Sequence, residues 1–122
     1  MHSAWQTRAN AHAPYSQFQV GAAVETCDGK VFSGCNVENL SFGLTICAER
    51  VAIFSAVAAG HRDFARIVVV ADTDQPISPC GACRQVMAEF SIPEVILANR
   101  HQQLRFTLEE LLPRASTGIL NR

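Results

Sequence analysis

QFQVGAAVETCDGKVFSGCNVE, residues 17–38, decides how this chain folds. Its first half, QFQVGAAVET, alternates as a half-buried strand does, and Asp28-Gly29 follows as a strong two-residue hairpin signal. KVFSGCNVE then returns as a second strand, so the segment reads as an antiparallel ribbon. With the turn centred on Asp28-Gly29, Cys27 faces Lys30 and Cys35 faces Ala22. The two thiols then lie roughly 16 Å apart along the ribbon, too far for a disulfide without rearrangement.

Working outward, residues 2–12 read as a short helix ended by Pro14. GLTICAERVAIFSAVAAG (43–60) has helical length from 47 to 59, with Gly60 as its stop. ARIVVVAD (65–72) is a continuous apolar run, the pattern of a strand buried on both faces. SPCGACRQVMAEF (78–90) opens another helix, EVILAN (94–99) is a further buried strand, and TLEELL (107–112) is a last short helix before Pro113. A hairpin followed by helix, strand, helix and strand predicts a mixed sheet with helices on its faces. The expectation is a single three-layer α/β domain over 1–122.

Size and composition agree. A chain of 122 residues can bury one core but not two. Apolar residues at 48% and charged residues at 17% give a globular balance, with no low-complexity tract or repeat. Ten basic and eleven acidic side chains leave a formal charge of -1, so the surface as a whole does not draw phosphate backbones or anionic lipid. The first sixteen residues contain no apolar run resembling a signal peptide, and no stretch reaches membrane-spanning length. The cytoplasm is the expected address.

The five cysteines (27, 35, 47, 80, 83) are the most informative residues. In a reducing compartment, closely spaced thiols suggest metal or catalysis before disulfides. Ser78 is a good N-cap and Pro79 suits the first helical position, so Cys80 and Cys83 fall in the opening turn or just after it, on one face. Tetrahedral zinc holds each sulfur at about 2.3 Å, hence roughly 3.8 Å between sulfurs, which thiols on adjacent turns can reach. A redox dithiol of thioredoxin type would instead follow the first strand of a different element order.

A closed structural site would need four ligands. Only one C-x-x-C is present, and His2, His12, His61 and His101 stand in no pattern suited to ligation. Cys47, at the mouth of the other long helix, is the best third ligand, which leaves a fourth position for water and so marks a catalytic zinc. Cys27 and Cys35 read as packing residues of the hairpin. Glu49, two residues from Cys47, is suited to accept a proton from zinc-activated water and pass it to a substrate. Taken alone it would be an ordinary acid in a helix's first turn. Three thiolates on a divalent cation carry net charge of -1, and Arg50 is placed to offset it. The rest of that helix, Val-Ala-Ile-Phe-Ser-Ala-Val-Ala-Ala, is apolar nearly all round, so a second subunit is expected to cover it.

Cys47-Ala48-Glu49 followed by Pro79-Cys80-Gly81-Ala82-Cys83 resembles the zinc-deaminase signature. PYSQFQVGAAVE (14–25), GCNVENLSFGLTICAERVAI (34–53) and LEELLP (108–113) extend the resemblance to the homotetrameric cytidine deaminases that act on free nucleosides. The resemblance implies a mixed, about five-stranded sheet, one Zn2+ per subunit, and hydrolysis of cytidine or deoxycytidine to the uracil nucleoside and ammonia in pyrimidine salvage. It assigns Asn36 and Glu38 to the ribose hydroxyls, Phe18 to the pyrimidine and Ala48 to the substrate site. The regular hairpin register, however, puts Phe18 on the face opposite Asn36, so a bulge or an earlier strand start is required. The chain also reads LLPRASTG, with Ser116 near the place where relatives commonly carry an aromatic.

Three other readings stay open. One is deamination of another cytosine-bearing compound, such as the antibiotic blasticidin S. Another is a noncatalytic zinc-binding interaction domain. A polynucleotide deaminase is disfavoured by the absence of net positive charge and of a basic aromatic groove.

Overall fold

The computed structural model describes residues 1–115. β1 (Val20–Thr26) and β2 (Val31–Cys35) form the expected ribbon, one residue out of the expected register: Gly21, not Ala22, faces Cys35. The cause is the turn. Gly29 N donates to Thr26 O at 3.0 Å and Thr26 N donates to Lys30 O at 2.8 Å, so Cys27, Asp28 and Gly29 form a three-residue loop. Gly29 takes φ +90°, the left-handed conformation that such a loop demands of its last residue. The Thr26 hydroxyl donates to the Asp28 carboxylate across it. An odd loop reverses the face of every residue in one strand relative to an even one. Phe18 and Asn36 thereby acquire the same strand parity, and the bulge that this required lies in the turn itself. Cys27 is exposed in that turn and packs in no core, contrary to expectation, and all five cysteines are free.

The sheet has the order β2-β1-β3-β4-β5. β3 (Phe64–Ala71) runs antiparallel to β1 and parallel to β4 (Glu94–Ala98), with α3 (Gly81–Glu89) as the crossover between them. β5 (Gln103–Thr107) completes an antiparallel edge. It is the strand that residue patterning leaves unnamed, because Gln-Leu-Arg-Phe-Thr is largely exposed and carries no apolar run.

Alternation along the strands produces the layers. Ala22, Val24, Ile67, Val69, Val95 and Leu97 point to one face, where Ala52, Ile53 and Ala56 of α2 (Ala48–Ala58) and Cys83 and Met87 of α3 close over them. Ala23, Val68, Val70, Ile96 and Ala98 point to the other, packed on Ala4 of α1. This is the expected three-layer α/β/α arrangement with a mixed five-stranded sheet. α1 spans only His2–Arg8, because His12 leaves the helix to bridge Val37. α4 (Leu108–Leu111) is short and held by a reciprocal capping box between Thr107 and Glu110.

α2 lies against β2 at a distance that only glycine permits. A Cβ on Gly34 would stand 2.5 Å from Ala52 N and 2.7 Å from Ala48 O. Both neighbours are helix backbone and cannot swing aside. The outer face of α2 leaves Phe54 48% exposed, and the loop before the helix, with its 3-10 turn at Phe42–Leu44, exposes Leu40, Phe42 and Leu44 more fully still. Among the described residues no helix is long and apolar enough to cross a membrane.

Gly34→Ala is expected to lose about 1–3 kcal/mol, the usual cost of overpacking a tight contact. Gly43→Ala, whose added Cβ meets nothing within 4 Å, serves as the control and should leave stability nearly unchanged. Urea unfolding of the two variants measures the difference.

Candidate metal centre

Cys47 and Cys80 are the N-cap residues of α2 and α3, and Cys83 follows three residues into α3. The expected cap, Ser78, lies before the helix. The Cys80 sulfur takes over its work, accepting from Cys83 N at 3.4 Å. A helix N-terminus presents unpaired N–H groups and positive potential, so a thiol there is predisposed to ionise. Two such termini converge here.

The sulfurs of Cys47 and Cys80 lie 3.8 Å apart, those of Cys80 and Cys83 3.4 Å, and all three fall within 4.8 Å of one another. These separations are close to the edge of a zinc–sulfur tetrahedron, and three soft donors suit zinc. The residues present therefore fit one such ion. Cys83 is buried, Cys47 half-buried and Cys80 exposed, so the cluster opens toward solvent on the Cys80 side.

The electrostatics are organised around this cluster. Cys47 is held down to about 5, chiefly by the hydrogen bond with the Cys83 thiol and, against the effect of burial, by Arg50 and Cys80. Arg50 Nη2 donates to the Cys47 sulfur at 3.5 Å, and its Nε is buried without an acceptor among the described residues. Cys83 is pushed well up by the same thiol–thiol bond and by burial. Glu49, 4% exposed in the first turn of α2, is raised above the ordinary carboxyl range, mainly by burial.

The remaining predicted residues gather at one end of the hairpin. β2 stops at Cys35, so Asn36 and Glu38 lie beyond its ladder, on either side of Val37, which bridges His12 and Ile46. Asn36 is buried. Its Oδ1 accepts from Val20 N at 2.9 Å and its Nδ2 donates to Phe18 O at 2.8 Å. Glu38 Oε1 accepts from Tyr15 N and Ser16 N at 3.0 and 3.1 Å, and Oε2 accepts from the Ser16 hydroxyl. The two side chains together hold segment 15–20, leaving the Phe18 ring 40% exposed. An open cavity of about 410 Å³ lies beside Glu38, lined also by Tyr15, Ser16, Phe42 and Thr45. Ala48, between Cys47 and Glu49, is fully buried, backbone and side chain alike. Ser116 falls outside the described residues.

Two supporting residues escape sequence reasoning. Ser16 binds Glu38 and also accepts from Phe18 N at 3.0 Å. Asn99, buried at the end of β4, donates to Thr73 O and Asp74 O at 2.9 and 3.0 Å. It thereby anchors the loop that leads from β3 to Cys80. Nothing short of the three-dimensional pairing of β3 with β4 signals that role.

A buried carboxylate one turn from three clustered thiols, at the mouths of two helices over a mixed sheet, defines a hydrolytic type of metal site. A family model described as cytidine and deoxycytidylate deaminase zinc-binding region matches residues 1–99. The chain belongs to that family. A cytidine deaminase of Halalkalibacterium halodurans is 53% identical to it over 116 residues, which are 93% of this chain and 88% of that protein. One from Sporosarcina psychrophila is 48% identical over 113 residues, 90% of this chain and 83% of its own. The crystal structure of cytidine deaminase from Burkholderia pseudomallei superposes with a TM-score of 0.89 at 55% identity, covering 93% of each chain.

In protein stripped of metal by chelation, Cys47 should remain reactive toward iodoacetamide at about pH 6, where an ordinary thiol has lost nearly all its thiolate. Its reactivity is lost as the pH falls through about 5. Arg50→Gln removes a cause of the lowered value and should move that loss to higher pH. Mass spectrometry of the alkylated peptides measures both, and a Cys47 that behaves as an ordinary thiol would contradict the assignment.

Proposed function

We propose that this protein deaminates cytidine or deoxycytidine, releasing the uracil nucleoside and ammonia. The observation that carries the reading is Glu49: a carboxylate withdrawn from water two residues after Cys47, beside sulfurs at zinc-ligand spacing. On this reading Cys47, Cys80 and Cys83 hold the ion. Bound there, zinc supplies the Lewis acidity that makes water a nucleophile near neutral pH.

Glu49 carries the protons. Its buried carboxylate accepts one proton from the attacking water and delivers it to N3 of the pyrimidine, then takes the second from the hydroxyl formed at C4 and delivers it to the departing amine. The raised affinity of Glu49 for a proton suits this task, since a carboxyl of ordinary acidity would hold it too weakly. Arg50 offsets the negative charge of the thiolates from beside Cys47.

Asn36 and Glu38 take the ribose hydroxyls. Asn36 uses one of its two amide hydrogens on Phe18 O, which leaves the other for substrate. Glu38 has about four acceptor sites, of which Tyr15 and Ser16 occupy three. Phe18 packs by the pyrimidine, and Ala48, between Cys47 and Glu49 at the start of α2, belongs to the substrate site.

The assembly is a homotetramer formed over the exposed Leu40, Phe42, Leu44 and Phe54. Apolar side chains this large and this exposed are unusual in a lone subunit. Each subunit is one domain over 1–122. A near-neutral formal charge of -1 accords with a free nucleoside rather than a nucleic acid as substrate. Five free thiols accord with the cytoplasm and a role in pyrimidine salvage there.

Glu49→Gln is expected to keep fold and zinc while losing about 10²–10⁴ in kcat, the usual contribution of a proton-transfer group. The fall in absorbance as cytidine becomes uridine measures turnover, and elemental analysis measures zinc. Turnover near that of the unaltered protein would remove Glu49 from the mechanism. Stoichiometric zinc without any turnover in the unaltered protein would make the domain a noncatalytic one, and faster turnover of blasticidin S than of cytidine would replace the substrate. Light scattering at micromolar concentration should report four subunits; a monomer would overturn the assembly.

A further inference from the structure

Arg84 sits where a cation is electrostatically out of place. It is the fourth residue of α3, in the opening turn, where the helix macrodipole opposes positive charge. Its hydrogen bonds explain its presence. Nε donates to the Pro79 carbonyl at 2.9 Å and Nη1 donates to the Leu111 carbonyl at 2.8 Å. The first carbonyl belongs to the peptide that leads into Cys80. The second belongs to the last residue of α4, one of the carbonyls a helix end leaves without a partner inside the helix.

The three thiols differ in how they are supported. Cys83 is enclosed by the core, and Cys47 is half-buried and receives Arg50. Cys80 is exposed, precedes its helix, and among the described residues receives from the main chain only the Cys83 N–H, at 3.4 Å. The direction of its side chain therefore depends on the orientation of the Pro79–Cys80 peptide. Of that peptide's two polar groups, the Cys80 N–H and the Pro79 carbonyl, Arg84 holds the carbonyl.

We infer that Arg84 is a positioning residue for the metal site: it braces the Pro79–Cys80 peptide, and so the Cys80 sulfur, against α4. This rests on the reading of Cys47, Cys80 and Cys83 as zinc ligands. The guanidinium suits the task because two of its donors are fixed in one plane, so the two carbonyls are held relative to each other. A lysine keeps the charge but offers a single point of donation, which cannot keep that relation. The C-terminal helix becomes part of the support of a site whose thiols all lie upstream of it.

The test is the rate at which zinc-loaded protein surrenders its ion to an excess of a chromogenic chelator, well below the unfolding temperature. Arg84→Ala should release zinc about tenfold to hundredfold faster, the range found when groups that orient metal ligands are removed. Arg84→Lys should also release it faster, by a smaller factor. Ile96→Val trims the core on the α1 face of the sheet and controls for general loss of stability; it should leave the rate unchanged. Release from Arg84→Ala within about twofold of the unaltered protein, well short of the usual effect on metal affinity, would overturn the inference. So would equal acceleration by Ile96→Val. Should Arg84→Ala fail to fold, Arg84→Lys carries the test, and a rate matching the unaltered protein overturns it. An unaltered protein that binds no zinc would sink the ligand reading and this inference together, whereas tightly held zinc indifferent to Arg84 sinks this inference alone.

Discussion

Two helix N-termini meet at one small volume, and their combined positive potential is the constraint on which the site depends. Three thiols within 4.8 Å of one another and a buried carboxylate would repel if they were all ionised in a neutral environment. Here Cys47 and Cys80 are the N-cap residues of α2 and α3, and at α3 the Cys83 N–H donates to the Cys80 sulfur. Arg50 adds a full positive charge beside Cys47. The fold supplies much of the electrostatic compensation before any ion contributes.

That convergence in turn requires each helix to be placed by the sheet. α3 is placed by being the crossover between the parallel strands β3 and β4, with Asn99 tying down the loop that precedes it. α2 is placed by contact with β2 at Gly34, where a hydrogen atom is all that separates strand from helix backbone. The hairpin therefore does two things. Its packing face seats α2, which Cys47 caps and which carries Glu49, and the extension beyond β2 carries Asn36 and Glu38, which hold segment 15–20. The clustered thiols and the side chains that hold segment 15–20 are thus tied to one hairpin.

Much of this was legible in the residues, and the gaps have definite causes. Apolar runs at 65–72 and 94–99 identify β3 and β4 because both faces of a central strand must be greasy. β5 has one neighbour and little cover, so its side chains are under no such demand and give no signal. The three thiols stand out because a single C-x-x-C and a third cysteine at another helix mouth match the spacing that zinc asks of its sulfurs. The hairpin register was off by one because Asp28-Gly29 is compatible with both even and odd loops, and the choice rests on the bonds between Thr26, Gly29 and Lys30. Asn36 and Glu38 needed the family resemblance, since a polar residue beyond a strand end looks the same whether it meets water or holds a loop. Ser16, Arg84 and Asn99 act through backbone and side-chain partners distant in the chain, and such partners leave no trace in local pattern.

β5 also constrains how copies of this protein can associate. An outer strand with free N–H and C=O groups invites another sheet to continue it, which would propagate without end. Here that rim bears Gln103 and Arg105, both exposed, and Arg105 is committed to an ion pair with Glu94 at 3.1 Å. A charged, hydrated border of this kind discourages lateral stacking of sheets. Contacts between identical oily patches on the helical and loop surfaces would instead close on themselves, giving a finite particle rather than a fibre.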